Sequence, residues 1–337
     1  MVAGWRGVWL IAAVISLRRC LTVGLCSTIL CFIACSRSDR VSVDATRPAP
    51  LRIGFIGVSE AQPTGAEGFA VENGQLIPAL ERLGFQKPTF VRFANGPDLN
   101  EAFSGGSLDV GIYGDTPALV GRAAGLPTRL INQSVVGMDA WLLVPRAGVA
   151  TLDELAGKVV ATSKGSYMHR YLAGLLSEKG LGSRVTLVHL LPADAQAALE
   201  RGEIAAYAAP SQTAPLLVSK GARVLDRASQ HPGLQGSSVT VVSEAFLARH
   251  PSFPAQWNEL RAQAVAQLLR EPERYYQFHA ERVRLPVTVI KQGFPLELFH
   301  VEPLVPGGRK LLEGTKSFLV DQKLAQNDFE LSAWLTR

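Results

Sequence analysis

From Leu51 onward, short strand-like segments alternate with amphipathic helical segments, and this alternation restricts the fold more than any other feature of the sequence. Strands are predicted at Leu51–Val58, Thr89–Phe93 and Leu108–Tyr113 from their β-branched and alternating residues. Apolar residues at helical spacing lie between them, as in Asn73–Leu83, whereas Ser59–Gly68 is predicted as a loop. This order predicts an α/β fold with a largely parallel sheet.

The strand and helix pattern starts again in the middle of the chain. Thr151–Ala156 is predicted as a short capped helix, with Thr151 as the N-cap and Glu154 three residues later. Further strands are predicted at Arg129–Val136, Ala140–Pro145, Lys158–Thr162, Val185–Leu190, Ile204–Ala208 and Ser237–Val242. Further helices are predicted at Tyr167–Lys179, Pro192–Arg201, Gln212–Lys220, Pro254–Leu269, Glu273–Arg282 and Gly308–Val320.

We predict that the second α/β unit is inserted into the first, which gives two lobes joined by two crossings. Lobe 1 is predicted to comprise residues 51–139 and 243–337, and lobe 2 residues 140–242. The crossings are placed at Ala140–Pro145 and Val239–Ser243. A cleft between two such lobes is the usual position for a small ligand.

Residues 1–35 are typical of an export signal. Two apolar runs flank Arg18-Arg19, and the first acidic residue of the chain is Asp39. Each run is shorter than the roughly 20 residues that span a bilayer, which favours a cleaved signal over the alternative of a retained anchor. The sequence therefore predicts a protein of the periplasm or cell envelope.

The end of this leader resembles a bacterial lipobox. In Cys31–Ser36, Cys35 stands where such a motif carries the cysteine that is lipidated. Plain secretory cleavage nearby and a twin-arginine signal are the alternatives. Residues 36–50 are polar and contain proline, so they are predicted to be a linker.

Cysteine and charge exclude several classes of function. All four cysteines lie in the leader, at positions 20, 26, 31 and 35, so the body has no disulfide framework, zinc-cysteine site or cysteine nucleophile. The formal charge of +5 falls to +2 when the three arginines of the leader are removed. The nearly neutral body lacks the excess of positive charge that is typical of nucleic-acid-binding proteins.

Motifs for metal, nucleotide or nucleophilic chemistry are not found. There is no GxSxG elbow, no HExxH and no GxGxxG after a strand. No two of the six histidines are three to five residues apart, which excludes a helical metal pair. We therefore predict no catalytic residues, no cofactor and no metal.

Two strand–loop–helix junctions are candidates for binding an anion. Gly165-Ser166 and Asp115-Thr116 each precede a predicted helix, where unpaired backbone N–H groups carry partial positive charge. His169 lies on the first turn of the helix that follows Ser166 and could add positive charge. The alternative is that Ser166 and Thr116 only cap their own helices.

Between about Leu51 and Ala245, several segments follow one another in a characteristic order. They are Gly96–Leu99, Gly106–Gly111, Gly114–Pro117, Thr151–Val160, Ser163–His169 and Leu191–Leu199. Their order resembles that in the aliphatic sulfonate/taurine/nitrate class of ABC-transporter substrate-binding proteins. The resemblance implies a periplasmic-binding-protein type II fold, with two Rossmann-like lobes around a ligand cleft.

The resemblance also implies a function and a set of site residues. A small anionic ligand, such as an alkanesulfonate, would be enclosed by lobe closure and delivered to an ABC permease by a monomeric binding protein. An enzyme or a sensor on the same fold is the alternative. The implied contacts in the matching loops are Ser59, Gln62, Asp115, Thr116, Gly165, Ser166 and Tyr167.

One segment departs from the family. Where sulfonate binders commonly carry Trp-Asp-Pro, this chain has Pro210, Ser211 and Gln212. The departure removes the usual aromatic wall and carboxylate and leaves the identity of the ligand open. Ser211 and Gln212 are predicted to supply polar contacts instead, whereas Tyr207 fits the core equally well.

Overall fold

The computed structural model describes residues 48–336. The predicted export signal at residues 1–35, its Cys35 and most of the linker at residues 36–50 lie outside the described residues. The described end of that linker is attached to the body, because the Ala49 N–H donates to the Gly84 carbonyl. Within residues 48–336, no helix has both the length and the apolar character needed to cross a membrane.

Ten strands and thirteen α-helices are present in residues 48–336. The strands are β1 (Arg52–Ile56), β2 (Thr89–Phe93), β3 (Val110–Gly114), β4 (Thr128–Met138), β5 (Ala140–Val144), β6 (Val159–Thr162), β7 (Thr186–His189), β8 (Ala206–Pro210), β9 (Arg223–Arg227) and β10 (Gly236–Ser243). The helices are α1 (Ala66–Glu72), α2 (Leu76–Arg82), α3 (Gly96–Ser104), α4 (Asp115–Ala123), α5 (Tyr167–Glu178), α6 (Pro192–Glu200), α7 (Ala214–Ser219), α8 (Glu244–Arg249), α9 (Phe253–Arg270), α10 (Pro272–Val283), α11 (Val287–Gly293), α12 (Pro306–Asp321) and α13 (Leu331–Trp334).

The strands form two five-stranded sheets, one for each predicted α/β unit. The first has the order β2-β1-β3-β10-β4, with β1 parallel to β2 and β3 and with β10 antiparallel to its neighbours. The second has the order β7-β6-β8-β5-β9, with β6 parallel to β7 and β8. A parallel pair of strands needs a long crossover connection. Helices provide it here, as α1 and α2 do between β1 and β2.

Helices cover both faces of each sheet, which explains the four separate apolar clusters. In the first sheet, Phe69 and Trp257 lie in the cluster on one face, and Leu99 and Leu312 lie in the cluster on the other. In the second sheet, the side of Ala206 and Ala208 belongs to a cluster with Tyr171 and Leu172 of α5. The opposite side meets apolar residues of α6 and α7.

The chain returns to the first sheet earlier than predicted. The predicted second crossing, Val239–Ser243, lies inside β10, which pairs with β4 from Gly236 onward and with β3 from Ser238 onward. A strand hydrogen-bonded on both sides cannot be the connection itself, so the change of sheet comes before Gly236. We therefore propose that lobe 2 comprises residues 140–235, with the first crossing at Asp139.

Several elements differ from the sequence expectation, and the short helices α8, α11 and α13 were not predicted. The predicted loop Ser59–Gly68 contains the start of α1, in which Gly68 lies so close to Pro63 that a Cβ would be 1.7 Å from its carbonyl oxygen. Gly68 inside this seven-residue helix and Gly65 at its N-cap conceal the helix from propensity arguments. Strand β9 was also not predicted, because it is an edge strand with half-buried residues and no clear alternation.

A half-buried imidazole in lobe 2 gives the first testable prediction. Burial lowers the pKa of His231, but hydrogen bonds with Asp226 and Glu178 outweigh this effect and raise it; Tyr171 also donates to Asp226. The stabilisation is therefore complete below the unfolded-state pKa and is lost as pH rises through the folded-state pKa. Urea unfolding should show His231→Gln less stable than the natural protein by up to about 1 kcal/mol at acidic pH, with the difference shrinking under alkaline conditions. A difference that grew with pH would contradict the assignment.

Candidate functional site

The predicted binding residues lie where parallel strands of the two sheets end. Ser59 and Gln62 follow β1, and Asp115 follows β3, its neighbour in the first sheet. Ser166 and Ser211 follow β6 and β8, which are neighbours in the second sheet. The carboxyl edge of a parallel sheet is the usual ligand side of an α/β fold, so both edges are candidates for one site.

The start of α4 is occupied by a carboxylate of the protein itself. Asp115 is 0% exposed, and it accepts hydrogen bonds from the Thr116 N–H (2.6 Å) and the Ser237 N–H (2.8 Å). Burial raises the pKa of Asp115, opposed by the charge of Arg170 and by these hydrogen bonds. The Thr116 N–H and hydroxyl, which were predicted to bind a ligand anion, therefore donate to the Asp115 carboxylate.

Arg170 is a buried cation on α5 that sequence reasoning missed. It is 0% exposed, and its guanidinium donates to the carbonyls of Gly233 (2.7 Å), Leu234 (3.2 Å) and Gln235. These three residues immediately precede β10, so Arg170 holds the second crossing in place. Arg170 also lies near the Asp115 carboxylate. An arginine within the apolar segment Tyr167–Leu176 was the available signal.

Within residues 48–336, no carboxylate accepts a hydrogen bond from the start of α5. The Ser166 hydroxyl accepts from the His169 N–H (3.3 Å) and donates to the Ser163 carbonyl (2.5 Å), so the predicted capping role is present. Gly165 has a φ of +79°, which favours glycine. A twelve-residue helix therefore begins at half-exposed residues, and its start carries the partial positive charge of a helix N-terminus.

Two imidazoles brace the loop that leads into α5. The Lys164 N–H donates to His189 Nδ1 (3.0 Å), and the Gly165 N–H donates to His169 Nδ1 (3.4 Å). Burial, with additional effects from Lys164 and His189, lowers the pKa of His169. Both imidazoles are thus used as neutral acceptors, and His169 supports the loop rather than adding charge to it.

Tyr167 and Ser211 lie side by side at the first crossing. The Tyr167 hydroxyl donates to the Asp139 carbonyl (3.3 Å), and the β5–β8 register, which pairs Ala140 with Pro210, places Asp139 beside Ser211. Burial raises the pKa of Tyr167, whereas the nearby backbone and hydroxyl of Ser211 lower it. Ser211 is 2% exposed, and its hydroxyl lies near that of Tyr167 without completing a hydrogen bond in residues 48–336. Gln212 follows it and is half-buried.

The loop after β1 is held by a buried carboxylate. Ser59 is exposed and Gln62 half-buried. The buried Glu60 side chain accepts from the N–H groups of Val58 and Ser59 (2.8 Å for Ser59). The structure does not bring the side chains of Ser59 and Gln62 into hydrogen-bond contact with the other predicted site residues, and their role remains a prediction.

Glycines permit close contact between the two lobes on either side of the site. A Cβ at Gly293 of α11 would lie 2.2 Å from the Ser211 carbonyl oxygen. A Cβ at Gly165 would lie 3.0 Å from Pro97. The two lobes therefore meet across the candidate site. No group of three potential metal-ligating side chains was found among the described residues.

The two facing sheet edges and the open start of α5 define the architecture of a two-lobed binding protein. Residues 90–274, more than half of the chain, match the family described as NMT1/THI5 like. The chain belongs to the NMT1/THI5-like family.

A curated relative supports the resemblance inferred from the sequence. Over 210 residues, the chain is 30% identical to an Escherichia coli (strain K12) protein that bears the provisional name of aliphatic sulfonates-binding protein. The aligned part covers 60% of this chain and 60% of that relative. The match thus spans about three fifths of the relative's length.

Solved structures confirm the predicted fold class. The alkanesulfonate-binding protein SsuA from Xanthomonas axonopodis pv. citri, bound to MOPS, is 27% identical, has a TM-score of 0.70, and is matched over 86% of this chain and 99% of that chain. The desulfurization enzyme DszB is 19% identical with a TM-score of 0.64, over 85% of this chain and 96% of that chain. This second likeness shows the fold alone. The periplasmic-binding-protein fold therefore also occurs in an enzyme.

Proposed function

We propose that this protein is the extracytoplasmic solute-binding component of an ABC importer for a small organic anion, with alkanesulfonates as the first candidates. The observation that carries the proposal is the start of α5, which faces the other lobe without an internal carboxylate. The names of the sulfonate-binding relatives point to the same ligand class.

The proposed anion position is the turn Gly165–Tyr167. The Gly165 N–H donates to His169 Nδ1, the Ser166 N–H to the Ser163 carbonyl (3.3 Å) and the His169 N–H to the Ser166 hydroxyl, which leaves the N–H groups of Tyr167 and Met168 for a ligand. These two N–H groups and the helix macrodipole favour a sulfonate or a similar anion. Ser59, Gln62, Ser211 and Gln212 on the surrounding loops, and Thr116 at the start of α4, are kept as proposed contacts.

The remaining parts of the proposal concern location and partners. Export by residues 1–35 would place the protein in the periplasm or cell envelope, and acylation of Cys35 would tether it there. A monomer would then deliver the ligand to a membrane permease without contacting nucleic acid. Mass spectrometry of the mature protein, isolated from its native host, would show whether its N-terminus is an acylated Cys35.

Ligand screening tests the central proposal. Thermal unfolding should be measured with ethanesulfonate, taurine, nitrate, phosphonates and thiamine precursors. A ligand at one hundred times its dissociation constant should stabilise the protein by about 2.7 kcal/mol. We expect the largest shift with a sulfonate. No shift with any anion would refute the proposal.

The cap of α5 provides a more specific prediction. Ser166→Ala should weaken sulfonate binding about tenfold, because the loop that presents the N–H groups loses two hydrogen bonds, each worth about 1 kcal/mol. Ser243 is the matched control, since its hydroxyl caps α8 through the Phe246 N–H (3.2 Å). Ser243→Ala should cost similar stability and leave the calorimetric affinity unchanged. Equal affinity losses in both variants would contradict an anion position at α5.

Binding without turnover is part of the proposal. The DszB likeness makes an enzyme the alternative. Chromatography of a sulfonate after long incubation with the protein should recover it unchanged; release of sulfite or another product would favour the enzyme.

A further inference from the structure

Three hydroxyl groups are buried in lobe 2 without a partner within residues 48–336, those of Thr162, Tyr207 and Ser211. Tyr207 is 1% exposed and Ser211 2% exposed, and neither Tyr207 Oη nor Ser211 Oγ has a hydrogen-bond partner within residues 48–336. Native proteins seldom leave such groups unpaired, because burial removes their hydrogen bonds to water. Two such hydroxyls, one on β8 and one on the residue that follows it, suggest a function.

The β8 strand places both hydroxyl-bearing residues on one face. Tyr207 and Ala209 belong to the same apolar cluster, whereas the alternate residues Ala206 and Ala208 belong to the cluster on the opposite face. Ser211 continues the alternation one residue beyond the strand. The small Ala209 side chain leaves little bulk between the two hydroxyl-bearing residues.

The Ser211 end of this face adjoins the proposed anion position. The Tyr167 hydroxyl, at the start of α5, donates to the Asp139 carbonyl beside Ser211. Burial raises the pKa of Tyr207, and the nearby Tyr167 raises it further. Ser211 is also at the lobe contact, where its backbone meets Gly293. A ligand held at α5 and covered by both lobes would have its far end near these hydroxyls.

We propose that Tyr207 and Ser211 form a specificity subsite for a second, uncharged polar group of the ligand, such as a hydroxyl. The inference rests on the proposed function and narrows its ligand class to hydroxyalkanesulfonates. Residues 206–212 contain no carboxylate. The nearby Asp139 carboxylate already accepts from Trp141 Nε1 (2.9 Å) and from the N–H of Ser229 (2.8 Å). An ammonium group, as in taurine, would therefore find no free anionic partner in this subsite.

Paired ligands test the subsite. Calorimetry should compare 2-hydroxyethanesulfonate with ethanesulfonate, which differ only in the hydroxyl group. The natural protein should bind the hydroxylated ligand about tenfold more tightly, as expected for one hydrogen bond to a group that is otherwise unpaired. Tyr207→Phe and Ser211→Ala should each reduce this ratio towards one, and Tyr207→Phe should leave ethanesulfonate affinity within about twofold.

Ligand-free stability separates this role from a structural one. Tyr207→Phe should raise the melting temperature by about 1–3 °C, because it removes an unpaired buried hydroxyl. Tyr171→Phe is the matched control, since that buried hydroxyl donates to Asp226 at 2.6 Å. The control should lower the melting temperature and leave the ligand ratio unchanged.

The outcomes divide clearly. A ratio at or below one in the natural protein, a ratio unchanged in both variants, or tighter binding of taurine than of 2-hydroxyethanesulfonate would overturn the subsite while leaving sulfonate binding intact. Failure of ethanesulfonate and all other sulfonates to bind would overturn the proposed function and the subsite with it.

Discussion

Arg170→Met should destabilise the protein by about 3–5 kcal/mol, the cost expected when one partner of a buried charge pair is removed. The substitution leaves the carbonyls of Gly233, Leu234 and Gln235 without their donor. It also leaves the fully buried Asp115 carboxylate without its nearby positive charge. Urea unfolding at neutral pH measures the loss.

The pH dependence identifies the cause of that loss. Burial already raises the pKa of Asp115, and removal of Arg170 should raise it further. An acid whose pKa is raised by folding binds a proton more readily in the folded state, so the penalty of Arg170→Met should shrink as pH falls. Adding Asp115→Asn to Arg170→Met should recover part of the stability at neutral pH.

A surface arginine supplies the control for Arg170. Arg201 is exposed and pairs with Glu203 at 2.6 Å. Arg201→Met should therefore leave the unfolding midpoint unchanged, since exposed ion pairs contribute little. A loss from Arg170→Met no larger than that of the control would contradict the assignment of Arg170 to the second crossing.

Gly293→Ala should weaken ligand binding about 100-fold if it reduces the fraction of molecules with closed lobes to about one per cent. The new Cβ would lie 2.2 Å from the carbonyl oxygen of Ser211 and 2.9 Å from its carbon. Gly293 ends α11, whose neighbour α10 packs on lobe 1, whereas Ser211 belongs to lobe 2, so relief of the clash requires the lobes to separate. Calorimetry with a sulfonate and the radius of gyration from X-ray scattering should change together.

The fold itself should tolerate this substitution. Alanine has a higher helix propensity than glycine by about 1 kcal/mol, so Gly293→Ala should not lower stability within its own lobe. Gly314, inside α12, is the matched control because a Cβ there would meet no atom within 4 Å. Gly314→Ala should keep the natural affinity and radius of gyration. An unchanged affinity in Gly293→Ala would show that this contact plays no part in closure.

Local patterns predicted most of the elements, and the elements that they missed have weak local signals. The alternation of β-branched residues placed β1, β2 and β3 within a few residues of their observed bounds. The glycine-containing α1 and the edge strand β9 were missed, because neither helix propensity nor strand alternation is strong in these segments.

The candidate site was predictable as a set of strand ends, and less so as a set of contacts. A strand followed by Gly-Ser and a helical pattern is enough to predict the start of α5 and its Ser166 cap. Nothing local indicates that Asp115 uses the Thr116 and Ser237 N–H groups, because Ser237 is 122 residues away in sequence. Likewise, the roles of Gly293 and Tyr207 depend on elements that come together only in the folded chain.

The sequence by itself determined the two α/β units, the cysteine-free body, and the strand–loop–helix junctions at which a ligand could be held. These properties depend on residues a few positions apart, which is the range over which periodicity and capping act. Only the tertiary structure decided that β10 belongs to the first sheet, that Arg170 holds the second crossing, and that the hydroxyls of Tyr207 and Ser211 lack partners within residues 48–336. Those outcomes depend on burial and pairing between distant segments, because a polar group's cost is set by its surroundings in the folded protein.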